Sequence, residues 1–370
     1  MYLITKEEFL NIFKHDKIPI TSFQVRSSNG NLVKLKTYVK DHNIPISDIH
    51  LLIDHIKRRN EYLERFYNTS LRPTESYHIM DKTMTINTLN NNQHVEYKNI
   101  IRNMYYREIL QKTKSGLPNL PSFLTVLEEL YLHGIIDYKI LTPSARHYLR
   151  EGRIGSVFSS LYFRASIMNP FLIYSLNHKV LKGERIFTPT LGWSSYSYGF
   201  LECEYVKEYV GTDVIPKVCN DTLKFVNKFY PSKTTDIWCS PSEDLYNNSK
   251  FLNKYRKHFD VVFFSPPYYQ LEIYPSNNQS TSRYKTYEDW LEKYWKITLK
   301  LCYYILKKNG RLCYIVSNYG DKINLVTDMN KITEELKFIP YKNIKMANKA
   351  VQVNTNQTDN SETICIFLRP

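Results

Sequence analysis

An apolar run that stops dead on two prolines sets the frame for this chain. Asp260-Val-Val-Phe-Phe264 has the β-branched and aromatic content of a buried strand, and Ser265-Pro266-Pro267-Tyr268 ends it. Successive prolines fix two φ angles and remove two backbone donors, so the carbonyls at this point are free to face a substrate amine. Tyr268 adds a flat ring suited to stacking on a base. A plain strand terminator is the structural alternative. The position matters because polar groups at the carboxyl ends of strands are where open α/β sheets handle ligands.

The surrounding pattern supports such a sheet. From about residue 150, short apolar segments alternate with helical ones. Candidate strands are 185–189, 208–212, 235–239, 261–264, 311–316, 337–346 and 363–368, with helices expected over 215–230 and 287–306. The last two strands are joined by the polar stretch 352–362 and no helix, so they read as an antiparallel pair at the sheet edge. The first 150 residues read as a mainly helical module. Apolar residues from Ile49 to Phe66 recur at helical spacing, and Leu89–His94 has no period and reads as a loop. Ser122 is placed to cap a helix starting at Phe123, and strand 135–140 followed by a helix over 145–149 suggests a winged-helix-like arrangement. The expected division is therefore 1–150, a mainly helical module, and 151–370, an α/β domain.

Composition narrows the partner. The 370 residues carry 50 Lys plus Arg against 36 Asp plus Glu, a formal charge of +14. That favours a polyanion, with a lysine-rich composition as the bland alternative. No run reaches the roughly 18 uncharged apolar residues of a membrane helix, and the start lacks a secretory pattern, so a cytoplasmic or nuclear-type compartment is expected. The six cysteines form no CxxC pair and no histidine joins them at zinc spacing, so no metal is expected. Cys239, Cys313 and Cys365 sit in strand-like runs and read as small buried hydrophobes.

Ser265–Tyr268 resembles the catalytic motif, Asp/Asn/Ser-Pro-Pro-aromatic, of the class I S-adenosylmethionine-dependent DNA amino-methyltransferases, which methylate N4 of cytosine or N6 of adenine. The resemblance implies a Rossmann-like, mostly parallel sheet and S-adenosylmethionine as cofactor. The serine version of the motif tilts the implied target toward cytosine. Phe187-Thr188-Pro189-Thr-Leu-Gly192-Trp193 looks like the family's cofactor loop, with Thr188 where an acid usually stands and Ser194 or Ser195 in place of the second glycine. Asp213, ending a strand about twenty residues after that turn, is the implied ribose ligand, a helix cap being the alternative. Ser242 or Glu243 occupies the position that meets the adenine, and Phe163 the position that packs on the methionine end.

By the same resemblance, the Ser265 hydroxyl and Pro266 carbonyl would accept the target amine's protons, while Tyr268 holds a flipped base. Cytosine-C5 chemistry would need a cysteine nucleophile, and the motif has none. Arg283 and Lys285, in the polar run after the motif, together with Lys342, Lys345 and Lys349, are the candidate phosphate contacts. The partner is expected to be DNA, with base reading supplied by residues 1–150, by loops or by a second subunit. The altered cofactor loop keeps a second class open: an inactive methyltransferase-like subunit that binds nucleic acid or a protein partner.

Overall fold

A computed structural model describes residues 2–14, 18–79, 82–319, 323–347 and 362–370. Lys349 and most of the stretch 352–362 lie outside the described residues. The chain forms two compact units, one of Thr74–Ile101 with Ile167–Pro370 and one of Tyr2–Pro73 with Arg102–Ser166. The boundary expected at residue 150 is therefore displaced to 166–167, and the chain also changes unit at 73–74 and 101–102. Helix Ile154–Leu161 explains the displacement, because it packs on helices Pro143–Arg150 and Arg59–Ser70 of the same unit.

The first unit is built on seven strands, numbered here within their sheet: β1 Arg185–Thr188, β2 Glu208–Asp213, β3 Thr234–Cys239, β4 Phe259–Phe264, β5 Leu306–Val316, β6 Ile339–Lys345 and β7 Thr363–Leu368. Their order is β6-β7-β5-β4-β1-β2-β3. All neighbours are parallel except that β7 runs against both β5 and β6. The antiparallel pair is thus present, but its second strand is inserted between β5 and β6, leaving β6 at the edge. This order with one reversed strand is that of the Rossmann-like class I methyltransferase sheet.

Central position explains composition. Val261, Val262, Phe263 and Phe264 of β4 are all fully buried, each stabilising the fold by about 1.5–3 kcal/mol. Edge strand β3 is half-exposed, and Cys239 at its end is exposed rather than buried, while Cys313 and Cys365 lie inside as expected. The reading of Cys239 failed because an edge position leaves one side of the strand to solvent.

The loop around Leu89–His94 has a definite task in this unit. Asn91 accepts from the Asn169 amide at 2.6 Å and donates to the Ile167 carbonyl at 3.0 Å. Asn169 in turn accepts from the Phe171 amide and caps helix Pro170–Leu176.

The second unit is mainly helical, with an aromatic core in which Phe66 stacks on Phe123 at 4.8 Å. Buried Asp48 accepts from both Arg146 and Arg150, and the Arg150 hydrogen bond leads in holding its carboxyl below the usual range. The helical spacing from Ile49 to Phe66 belongs to two helices, Ile46–Lys57 and Arg59–Ser70, broken at Arg58. Ser122 precedes helix Phe123–His133 but does not cap it, because its hydroxyl donates to the Thr113 carbonyl at 3.0 Å. Strand Ile135–Asp137 is shorter than expected and pairs parallel with Gln24–Arg26, which also pairs with Leu32–Lys34. No helix among the described residues is long and apolar enough to cross a membrane.

Candidate active site

The carboxyl end of β4 delivers Ser265 to the rim of the sheet. Its hydroxyl donates to the Ile315 carbonyl at the end of β5, at 3.1 Å. The same hydroxyl lies 3.4 Å from that of Tyr268, and among the described residues nothing donates to it, so its lone pairs are left for an incoming donor. Among the described residues nothing donates to the Pro266 carbonyl, so it too remains an available acceptor. Tyr268 is anchored at its far end, where the hydroxyl donates to the Ile315 carbonyl at 3.2 Å and approaches Glu362 Oε1 at 3.4 Å. Burial keeps that phenol protonated, its pKa raised well above the ordinary value. Tyr269 follows with φ +46°, and its hydroxyl donates to the Lys285 carbonyl at 2.7 Å, fixing the way the chain leaves the motif.

The loop after β1 turns through three successive left-handed residues, Gly192, Trp193 and Ser194, at φ +53°, +59° and +69°. Only the first is a glycine. A Cβ on Gly192 would lie 2.4 Å from the Tyr196 ring, so the position tolerates no side chain. Ser194 takes a conformation that costs a non-glycine residue about 1–2 kcal/mol, and its hydroxyl is held by Thr222 at 2.6 Å. Thr188 does not take over the role of the usual acid. Its fully buried hydroxyl pairs with that of Tyr209 at 2.7 Å, inside the sheet layer. Pro189 follows it, fully buried, in the turn that leads to Gly192.

Asp213 ends β2 beside that loop. One carboxylate oxygen accepts from the Leu191 amide at 3.2 Å and the other from the Ile215 amide at 3.1 Å. Asp213 thus ties β2 to the loop after β1 and also orders the entry to helix Pro216–Phe229. Burial pushes its pKa up to about 6, against these amides, which hold it down. Beyond β3, the Ser242 hydroxyl pairs with Thr298 at 3.1 Å and is buried, so its side chain serves the fold. Glu243 is also buried, and burial lifts its carboxyl to about 7.

The segment after the Pro-Pro motif reaches each of these loops. Tyr274 meets Trp193 edge-on at 6.0 Å, Ser276 donates to the Val214 carbonyl at 3.3 Å, and Arg283 bridges Glu243 and Asp244 at 2.7 Å each. Tyr284 adds a hydrogen bond to Glu243 at 3.2 Å. Arg283, expected on phosphate, therefore has its charge compensated within the protein. The reason is that Glu243 needs a cation once buried.

The remaining expectations are Lys285, Lys342, Lys345 and Phe163. Lys285 is exposed at this rim. Lys345 is exposed at the carboxyl end of β6, three strands or about 14 Å across the sheet from β4, and Lys342 lies exposed lower on that edge strand. Phe163 belongs to the helical unit, where its amide donates to the Pro121 carbonyl and its own carbonyl accepts from Phe123.

Two contributors went unread in the sequence. Tyr196 sits under Gly192 and accepts the Ser265 amide at 3.0 Å, and burial lifts its pKa to about 12. Its only signal was an aromatic four residues after the loop glycine. Tyr294 lies on a π-turn, Trp290–Trp295, inside the expected 287–306 helix, and such turns are frequent at functional sites. Among the described residues its buried hydroxyl has no hydrogen-bond partner, and burial first, then Glu243, Cys302, Tyr196 and Asp213, raise its pKa well above the ordinary value.

No family model matches the sequence, and no curated protein matches it. Solved structures do match, all distantly. Fibrillarin from Aeropyrum pernix, solved with S-adenosylmethionine bound, is 8% identical, with 50% of this chain and 66% of that one covered and a TM-score of 0.33. A methyltransferase from Pyrococcus furiosus is 15% identical over 60% of this chain and 98% of its own, at 0.36. TrmN from Thermus thermophilus is 13% identical over 56% and 50%, at 0.38. Such distant likenesses carry no chemistry across, since one fold hosts many reactions. Strand order and direction do identify the architecture: the chain has the Rossmann-like fold of the class I S-adenosylmethionine-dependent methyltransferases.

Proposed function

We propose that this protein is a DNA methyltransferase that places a methyl group on the exocyclic amine of a flipped base, N4 of cytosine ahead of N6 of adenine. The observation that carries the reading is the Ser265 hydroxyl, which donates toward the Ile315 carbonyl and the Tyr268 hydroxyl and accepts from none of the described residues, next in the chain to the Pro266 carbonyl, to which no described residue donates. Two acceptors on one amine draw its lone pair out of conjugation with the ring and aim it. Tyr268, pinned through its hydroxyl, keeps its ring fixed for stacking. Positioning of this kind supplies most of what an in-line transfer needs.

The site's residues fit S-adenosylmethionine. Asp213 retains lone pairs for ribose hydroxyls after accepting two amides, Glu243 stands at the next strand end, and the buried hydroxyl of Tyr294, without a partner among the described residues, calls for a ligand atom. When bound, the cofactor supplies the methyl on a sulfonium. Lys285, Lys342 and Lys345 are the phosphate contacts in this reading, and the helical unit is the place for base recognition or a protein partner.

A second reading, an inactive subunit that binds nucleic acid or a partner, is favoured by Thr188, whose hydroxyl is consumed by Tyr209 where an acid is usual. One experiment separates the readings. Cofactor-stripped protein is titrated with S-adenosylmethionine, and nucleosides from mixed-sequence DNA incubated with both are analysed by mass spectrometry. N4-methylcytosine supports the leading reading, and N6-methyladenine keeps the chemistry with the other base. Folded protein that binds no cofactor overturns the enzyme.

A further inference from the structure

A cavity of about 320 Å³ opens at the opposite end of the sheet, lined by Tyr246, Arg256, Lys257, Lys300, Tyr303, Tyr304, Leu336 and Arg369. Arg256 and Lys257 precede β4, whose far end bears Ser265, so the two places are separated by the strand's length, about 20 Å. The lining holds four cations and no acid. Neighbouring cations in the sequence are paired: Lys254 with Asp236 at 2.8 Å and Lys307 with Asp260 at 2.6 Å. Arg256, Lys257, Lys300 and Arg369 make no ion pair with the described residues.

Helix capping does not account for the cluster. The final carbonyls of helix Lys296–Ile305 are met by the Arg369 Nε on Tyr303 at 2.7 Å and the Lys257 amide on Tyr304 at 3.1 Å, which leaves the other charges unused. One of the four cations is positioned: the Arg369 guanidinium lies over the Tyr303 ring at 4.7 Å and donates to the Tyr303 carbonyl. Like charges gathered around one concavity raise the local potential and attract an anion. Tyrosines beside them offer ring faces. The volume is at the lower end of the roughly 300–1,000 Å³ typical of small-ligand sites.

We propose that this cavity binds the phosphate and base of a nucleotide, at a site separate from the Ser265 rim. The proposal does not rest on the methyltransferase reading. The nucleotide can be free or a unit of a strand, because the recognising chemistry is the same.

The test is calorimetric titration of the full chain with UTP and, separately, with a short oligouridine, in the presence of saturating S-adenosylhomocysteine to keep the rim out of play. Arg256→Glu with Lys300→Glu should weaken binding at least about tenfold, while the charge-matched pair Lys40→Glu with Lys331→Glu, both exposed and outside the cavity, should change it less than about twofold. Tighter binding of UTP identifies a free nucleotide, and tighter binding of the oligomer identifies a strand. Equal losses in both double variants, no binding of either ligand, or inorganic triphosphate binding as tightly as UTP overturns the proposal. Cofactor titration of the same variants reads the rim independently, so failure there is distinguishable from failure here.

Discussion

The backbone amide of Ser265 donates to the Tyr196 hydroxyl at 3.0 Å, and the ring of that tyrosine is the surface on which Gly192 rests. One side chain therefore sets the height of the Pro-Pro motif against that of the cofactor loop. Tyr196→Phe keeps the ring and removes the acceptor, leaving a buried amide unmet at a cost of about 1–3 kcal/mol. Turnover should fall while cofactor affinity stays near wild type. Steady-state methylation beside calorimetry checks this, and equal losses in both would assign Tyr196 to packing alone.

The left-handed turn gives a ranking. Ser194→Ala keeps the strained backbone and loses the Thr222 hydrogen bond, whereas Ser194→Gly loses the bond but relieves the strain. The two effects are each about 1 kcal/mol, so the glycine variant should be near neutral and the alanine variant clearly less stable. Urea denaturation decides it, and a glycine variant less stable than the alanine one contradicts the strain assignment. Gly192→Ala, meeting Tyr196 at 2.4 Å, should be the worst of the three.

Asp213 and Glu243 both have carboxyls raised by burial, to about 6 and about 7. A raised carboxyl contributes stability that is full below its unfolded value, near 4, and is lost as pH climbs through the folded value. Cofactor affinity should move the other way at Asp213, because the ionised form is the better acceptor for ribose hydroxyls. Binding should therefore strengthen between about pH 5 and 7. In Asp213→Asn the rise centred near 6 should vanish, and in Glu243→Gln any component near 7. A pH series of cofactor titrations tests both, and an unchanged profile in Asp213→Asn removes it from the ribose.

Salt dependence separates the basic residues. Arg283 is neutralised by Glu243 and Asp244, so Arg283→Gln should leave the slope of DNA affinity against salt unchanged. Neutralising exposed Lys285, or Lys342 with Lys345, should reduce that slope by about 0.9 for each duplex phosphate that the variant no longer neutralises. Fluorescence anisotropy at several salt concentrations reads this directly. A drop for Arg283→Gln would mean its bridges open on DNA.

Arg283 also holds the segment that reaches the loops after β1, β2 and β3. Arg283→Ala should speed cofactor exchange at little cost to the sheet, as measured by stopped-flow dissociation. An unchanged rate would show that Tyr274 on Trp193 and Ser276 on Val214 suffice to hold the segment.

Much of this was legible in the residues. All seven strands, the antiparallel pairing of the last two and the rim position of Ser265 follow from local apolar runs and two prolines. What stayed hidden depends on contacts between distant residues. Nothing local distinguishes Arg283 from Lys285, since only the fold brings Glu243 within reach of one. Thr188 and Ser242 look like ligands by position, yet Tyr209 and Thr298 claim their hydroxyls. A composition shift marks where strands begin, so it put the unit boundary at 150. The helix at Ile154–Leu161 belongs by packing to what precedes it.

The chain enters and leaves the helical unit as two separate stretches, Tyr2–Pro73 and Arg102–Ser166, with Thr74–Ile101 committed to the sheet between them. That interval supplies Asn91, the side chain that fixes Asn169 at the head of Pro170–Leu176. A fragment beginning at residue 151 or 167 would therefore lack part of its own scaffold. Exchange of the helical unit between relatives, by recombination or by design, requires two simultaneous grafts around a retained interval. A single crossover anywhere between residues 74 and 166 mixes both units at once.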